Sequence, residues 1–241
     1  MYDLAQFTLS DMTRCGKEMR KLGASTSSME EVADRLVRFL YGSFRVRGTD
    51  EPACALVRLF TTLPYAALEP AQQEFVQSLG GADRPGSTTR CLTLLATAGH
   101  LPSWNSRHSS AAHQALPLTS QASVARSPMI AQLIAQLGME IGAFIGPAKD
   151  FVIDVDQHSF NVFHVRDAKG SPYIPAQQAF VIPHGIKSVL GFGGLLPSCE
   201  LFAIILFSKC TIDRERADLF RTLALNAKVA MLPFAGGPIF A

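Results

Sequence analysis

The apolar positions between Ile186 and Lys209 fall into two short runs rather than one long one. Pro197, Ser198, Cys199 and Glu200 interrupt them, so the stretch is no membrane-spanning helix, which needs ~20 apolar residues without such a break. Gly191-Phe-Gly-Gly does not have the spacing of a phosphate-binding glycine loop, and it leads into a β-rich run rather than a helix start. The pattern predicts two strands, 186–195 and 201–209, joined by a turn. Both faces of Leu201–Phe207 are apolar, as in a central strand covered on both sides.

Elements of both periods surround this hairpin. Leu4, Phe7, Met12, Cys15 and Met19 recur at helical spacing over 3–21, and Val32, Ala33, Leu36, Val37 and Leu40 form one apolar stripe. Ser28-Met-Glu-Glu31 fits a capping box at the start of that second helix. Strands are predicted over 54–61, with Cys54, Leu56, Arg58 and Phe60 on one side, and over 91–97. A short helix is expected over 69–79, another over 128–137 with Ser127 as cap and Pro128 in its first turn, and a long amphipathic one over 213–231. Two β-prone segments are 151–155 and 160–165, and 98–127 reads as a long loop.

With 241 residues, 48% hydrophobic and 17% charged, the chain is long and apolar enough for one large folded domain. A net charge of +2 without a basic stripe argues against nucleic acid as a partner. Five widely spaced cysteines without CxxC suit a reducing, cytoplasmic setting, and residues 1–15 have neither a basic nor an apolar leader region. No membrane association is expected.

Gly185-Ile-Lys-Ser188-Val-Leu, a turn, LFAIILF and a closing helix from Asp213 resemble the end of a GAF domain. Pieces such as ACALVRLF, CLTLLAT, FNVFHV, GSPYIPAQQAFVIPHGIKSVLGFGG and LFAIILFSK resemble N-terminal sensory regions of bacterial histidine kinases and diguanylate cyclases. The resemblance covers about 28–232 and implies an α+β fold: a GAF/PAS-like antiparallel sheet flanked by helices, with a long irregular insertion at 98–185. It further implies an N-terminal signalling or dimerisation helix over 1–27, a sensor domain over 28–232, and a linker over 233–241. The implied function is a cytosolic, non-enzymatic input module of a two-component or related signalling protein. Such a module binds a small molecule, pairs with a second copy through its terminal helices, and regulates an output domain.

Several groups are candidates for the chemistry. Trp104, Arg107, His108 and His113 gather in one loop, where indole, guanidinium and imidazole suit an anionic or aromatic ligand. A five-residue gap between the two histidines suits neither a helix face nor a strand face, which argues against a metal. His164, beside Phe163 in a strand, is a candidate haem axial ligand, although no CxxCH accompanies it. His158 and His184 raise the same question. Residues 170–185, with three prolines and two glycines, exclude a regular element yet are too apolar to stand in solvent. They are expected to lie as a lid over the sheet, with Phe163, Tyr173, Phe180 and His184 near a pocket. Asp154 and Asp156 are a weaker cation candidate. Cys54 and Cys91 are expected to be buried, and Cys199 and Cys210 to be exposed. A thiol- or metal-dependent enzyme and a ligand-free dimerisation module are the alternative readings.

Overall fold

The computed structural model describes residues 1–80, 84–110, 113–125, 127–136, 142, 145 and 162–241. The expected strand 151–155, the start of the one at 160–165, and His158, Asp154 and Asp156 lie outside the described residues.

Tyr2–Asp3 (β1) pairs in parallel with Phe44–Arg45 (β2), so the first helix, α1, is confined to Leu9–Lys21. Its start is set by a capping box the helical spacing did not reveal: Thr8 Oγ1 accepts from the Asp11 amide at 3.1 Å, and Asp11 Oδ2 accepts from the Thr8 amide at 3.1 Å. Helix α2, Met29–Ser43, is capped by Ser28, whose Oγ accepts from the Glu31 amide at 3.2 Å. The expected return half of that box is displaced by one residue, because the Glu31 carboxylate accepts from the Ser27 amide instead.

The main sheet is built from β3 (Cys54–Pro64), β4 (Arg90–Gly99), β5 (Ala115–Pro117), β6 (Val162–Val165), β7 (Ser188–Leu195) and β8 (Leu201–Ser208). All neighbours are antiparallel, in the order β5-β4-β3-β8-β7-β6. Helix α3 (Pro70–Ser78) lies between β3 and β4, and α4 (Gln121–Ala125) and α5 (Pro128–Gln136) come after β5. The predicted hairpin is β7–β8, and β8 is buried along its whole length between β3 and β7. The antiparallel α+β architecture expected from the sequence is the one observed.

Two bulges reset which residues share a face. Ala55 is the extra residue between the pairs Cys54↔Ser208 and Leu56↔Phe207, and Leu95 is the extra residue between Leu59↔Ala96 and Phe60↔Leu94. Leu56, Arg58 and Phe60 therefore share a face as predicted, but Cys54 turns to the other side.

Helices cover that other side. There α1 and α2, with α6 (Arg214–Asp218) and α7 (Phe220–Met231), bury Met19, Leu36, Leu40, Phe44 and Phe220 against Phe192, Phe202 and Leu206. Residues 1–27 thus share a core with the rest of the chain. Gly16 permits the close approach of α1 to α7, since an added β-carbon would lie 2.5 Å from Asn226 Nδ2. The single helix expected over 213–231 is two, because at Leu219 the ladder tightens to a bond with Arg216 three residues back. Residues 238–241 return to α2, where the Met29 and Glu30 amides donate to the Pro238 and Ile239 carbonyls at 3.0 and 2.8 Å. These bonds satisfy two of the free donors at that helix start.

The opposite face of the sheet carries α4, α5 and the predicted lid, residues 170–185. Within it, Gln177–Val181 forms a π-helical turn, the regular element that the prolines had argued against. Likewise 98–127 is not one loop, since it holds β5 and α4. A three-residue edge strand such as Ala115–Pro117 is too short to show a period and owes its shape to pairing with Cys91–Thr93.

Candidate functional site

A cavity of about 410 Å³ lies between the lid and the sheet. Its floor is Leu56, Arg58 and Phe60 of β3, Leu92 of β4, and Ile205 and Phe207 of β8. Met129 and Ile130 of α5 form one wall, and Ile174, Pro175, Ala176 and Phe180 of the lid form the roof. Trp104 and His113 close the side towards the loop after β4. A largely apolar wall with a few polar groups is the usual character of a small-molecule pocket.

The roof is held by specific bonds. Gln177 donates from Nε2 to the Ala168 and Ile174 carbonyls at 3.0 and 2.7 Å, and its Oε1 accepts from the Gly170 amide at 2.8 Å. An aromatic chain then links lid to sheet and loop. Phe180 meets Phe207 edge-on with centroids 4.9 Å apart, and Trp104 lies 5.6 Å from Phe180 and 4.6 Å from His184. Asn105 fixes the loop carrying Trp104, donating to the Gly99 and Leu101 carbonyls at 2.9 Å and accepting from the Gly99 amide at 3.2 Å.

The polar end of the cavity is Arg58, a residue predicted to be in the right strand but not predicted as a site. Its Nη2 donates to Ser110 Oγ at 3.2 Å, and its Nε is shielded from solvent without a hydrogen-bond partner among the described residues. Burial pushes its pKa down to about 10. His113, at a left-handed backbone position (φ 61°), is exposed overall, but desolvation of its ring at the cavity wall and then the Arg58 charge lower its pKa, which favours the neutral imidazole. The signal present in the sequence was an arginine at an inward position of an otherwise apolar strand.

Of the eight residues singled out from the sequence, Trp104, His113 and Phe180 line the cavity, and His184 stacks on Trp104 at its edge. The other four sit elsewhere. Phe163 is fully buried in the core beneath α5. Tyr173 is on the outer side of the lid, 39% exposed. His164 is on the opposite face of the sheet, with Nε2 donating to the Ile212 carbonyl at 2.8 Å and its pKa lowered mainly by burial. Its imidazole therefore does not face the cavity that a planar cofactor would need. Arg107 is part of an ion cluster, donating to both carboxylate oxygens of Glu30 and to Glu69 Oε2 at 2.5 Å, with the Phe240 ring 4.9 Å from its guanidinium carbon. It borders a second, more polar cavity of about 390 Å³ beside α3.

No group of three or more His, Cys, Asp or Glu side chains is placed to hold a metal among the described residues. Cys15, Cys54, Cys91 and Cys210 are buried, and Cys199 is half-buried in the β7–β8 turn. Cys210 was expected to be exposed. Instead its amide donates to Ser208 Oγ at 2.9 Å, and that hydroxyl donates back to its carbonyl at 2.8 Å, which folds the residue inward.

Compared with sequence profiles of protein families the chain matches none, and no curated protein matches it. Among solved structures it is similar to a free methionine-R-sulfoxide reductase from Neisseria meningitidis in complex with its substrate, at 9% identity and a TM-score of 0.48, covering 94% of this chain and 91% of that one. It is similar to the GAF domain from an Acinetobacter phosphoenolpyruvate-protein phosphotransferase, at 11% identity and a TM-score of 0.46, covering 93% and 94%. A methyl-accepting chemotaxis protein fragment is a third, at 12% identity and a TM-score of 0.45, covering 91% and 96%. At these identities and scores no function passes from them to this chain. Among the described residues, no helix is long and apolar enough to cross a membrane.

Proposed function

We propose that the chain is a ligand-binding input module of a signalling protein, holding a small, mainly apolar molecule between its sheet and the 170–185 lid. The observation that carries this reading is the 410 Å³ cavity, roofed by a lid that is pinned at Gln177 and closed by the Phe180–Trp104–His184 stack. Strands β3 and β8 that floor the cavity also bear, on their other face, the core shared with α1, α2 and α7. A ligand that shifts those strands would bias the helical layer, which is the relay required to control an output domain. The cytosolic setting and the histidine kinase or cyclase context belong to this same reading.

Pairing with a second copy through α7 is part of the proposal. Leu225 and Val229, 47% and 39% exposed, stand four residues apart on the solvent side of the helix, and Leu232, 39% exposed at its C-cap, continues the stripe. Sedimentation should give a dimer that Val229→Glu dissociates, and a wild-type monomer would remove this part.

The pocket is tested with N-phenyl-1-naphthylamine, an uncharged apolar fluorophore. Saturable enhancement of its emission is expected, with quenching of Trp104, the single tryptophan. Ala176→Phe, which fills the roof without touching the core, should abolish both. No saturable binding, or binding indifferent to Ala176→Phe, would overturn the assignment.

A further inference from the structure

The sheet face under the lid carries an arrangement that apolar ligand binding alone does not require. Arg58 stands on the central strand β3, directly across from Thr97 of β4 in the strand pairing. Directly paired residues project to the same face with β-carbons about 5 Å apart. Both present a buried polar atom without a hydrogen-bond partner among the described residues: the Nε of Arg58 and the Oγ1 of Thr97. Two idle polar groups side by side, both able to donate, are costly in a fold whose other buried polar atoms are mostly paired.

The ion pairs sharpen the contrast. Among the described residues no carboxylate pairs with Arg58, whereas the arginines at 14, 35, 38, 107, 166, 214, 216 and 221 all have one, and Arg45, which has none, gives its Nη1 to the Tyr41 and Phe44 carbonyls. Ser110, its hydrogen-bond partner at Nη2, is neutral, and so is the His113 ring beside it when not protonated. A guanidinium withdrawn from water needs an anion to offset its desolvation, and its fork matches a carboxylate in both shape and charge.

We propose that the cavity takes an amphipathic monocarboxylate, with its carboxylate on Arg58, on the side where Thr97 stands across the strand pairing, and its apolar body against Phe60, Ile130, Ile174 and Phe180. The proposal rests on the pocket reading above and names the class of molecule that fills it. The apolar body supplies the bulk of the affinity by leaving water. The carboxylate supplies selection, because an uncharged analogue of the same length leaves the arginine fork unpaired. Free fatty acids and aryl-alkyl acids share this chemistry, and the length and aromaticity of the body decide between them.

The test compares acids with their alcohols: octanoate against 1-octanol, and 4-phenylbutyrate against 4-phenyl-1-butanol, each displacing N-phenyl-1-naphthylamine and quenching Trp104. At least one acid is expected to bind about tenfold or more tighter than its alcohol, and the pair that shows the larger ratio identifies the source. Arg58→Met should erase the ratio by lowering acid affinity more than alcohol affinity, and Arg58→Lys should keep a reduced ratio. Thr97→Val, isosteric and free of charge, should lower acid affinity alone and guards against a poorly folded Arg58 variant. Equal binding of acid and alcohol by the wild-type protein would overturn the carboxylate proposal and leave the apolar pocket standing. A ratio that survives Arg58→Met would overturn the role of Arg58. Failure of the uncharged fluorophore itself to bind would overturn the pocket and this proposal with it.

Discussion

His184 donates its Nδ1 proton to Nε2 of His100, 3.2 Å away, because the other ring nitrogen of His100 must donate to the Ala55 carbonyl at 3.2 Å. A carbonyl only accepts, so it fixes the tautomer of His100, which in turn fixes that of His184. This pair ties the end of the lid to the end of β4.

Acid should loosen that tie. The pKa of His184 is lowered, first by burial and then by His100. The unfolded chain takes up the proton more readily than the folded one, so stability is full above the unfolded histidine value of about 6.5. It declines as pH falls from there towards the folded value, and levels off below it. His113 and His164, lowered for the same first reason, add to the decline. Melting temperature and Trp104 emission followed from about pH 7.5 to about pH 5, the histidine range, should both drop, and His184→Phe should remove part of the drop in each.

Trp104 rests on Gly99, where an added β-carbon would meet Trp104 Cε3 at 2.8 Å and the Ala55 carbonyl at 3.0 Å. Gly99→Val should push the indole off the cavity edge. The expected cost is roughly 1–3 kcal/mol in urea unfolding, the range for overpacked sites, together with a red shift of tryptophan emission.

The Arg107 cluster holds structure together. Its side chain is 7% exposed between Glu30 and Glu69, at 18% and 32%. Arg107→Met should cost roughly 2–4 kcal/mol, since two carboxylates lose their cation in a partly buried place. The hydrogen bond from Arg107 is the first cause holding the Glu69 carboxyl below its usual pKa. That share of stability is present above the unfolded glutamate value of about 4.3 and is lost as pH falls through the folded one. Arg107→Met should therefore flatten the acid limb of the stability profile below about pH 5, read by urea unfolding at stepped pH.

Thiol accessibility gives a fourth check. Burial raises the pKa of Cys15 and of Cys91 to about 12, and raises those of Cys54 and Cys210 as well. Of the five cysteines, Cys199 alone is not buried. Dithiobis(nitrobenzoate) should therefore titrate one thiol in the native protein and five in guanidinium. Cys199→Ser should abolish the native reaction.

The sheet was legible in the sequence because its central strands are apolar on both faces and its turns carry Pro, Ser and Gly. The runs at 54–61, 91–97 and 201–209 each lie within an observed strand or exceed it by one residue. Bulges were not legible, since an extra residue is defined only against a partner strand, and so Cys54 was placed on the wrong face. The edge strand at Ala115 and the break at Leu219 were hidden for the same kind of reason, being settled by neighbours rather than by local pattern. At the site, Trp104 and Phe180 stood out as aromatics in irregular segments. Arg58 did not, because its meaning comes from what surrounds it. Arg107 stood out as a cation in a ligand-like loop, but its partners Glu30 and Glu69 are 77 and 38 positions away.

Leu95 has a consequence out of proportion to its size. As the unmatched residue in β4, it shares the helix side with Ala96, and alternation resumes beyond them with Thr97 and Gly99 beneath the lid and Ala98 towards the helices. Deleting Leu95 would only remove the bulge and leave Thr97 opposite Arg58. Inserting one residue between Ala96 and Thr97 would instead turn the strand end over, sending Ala98 beneath the lid and driving a hydroxyl towards the aromatic core. The binding chemistry of this sheet is thus a matter of counting as much as of composition. Insertions or deletions within 90–99 should prove far less tolerable than substitutions there, except deletion of Leu95, which keeps every later pair in place.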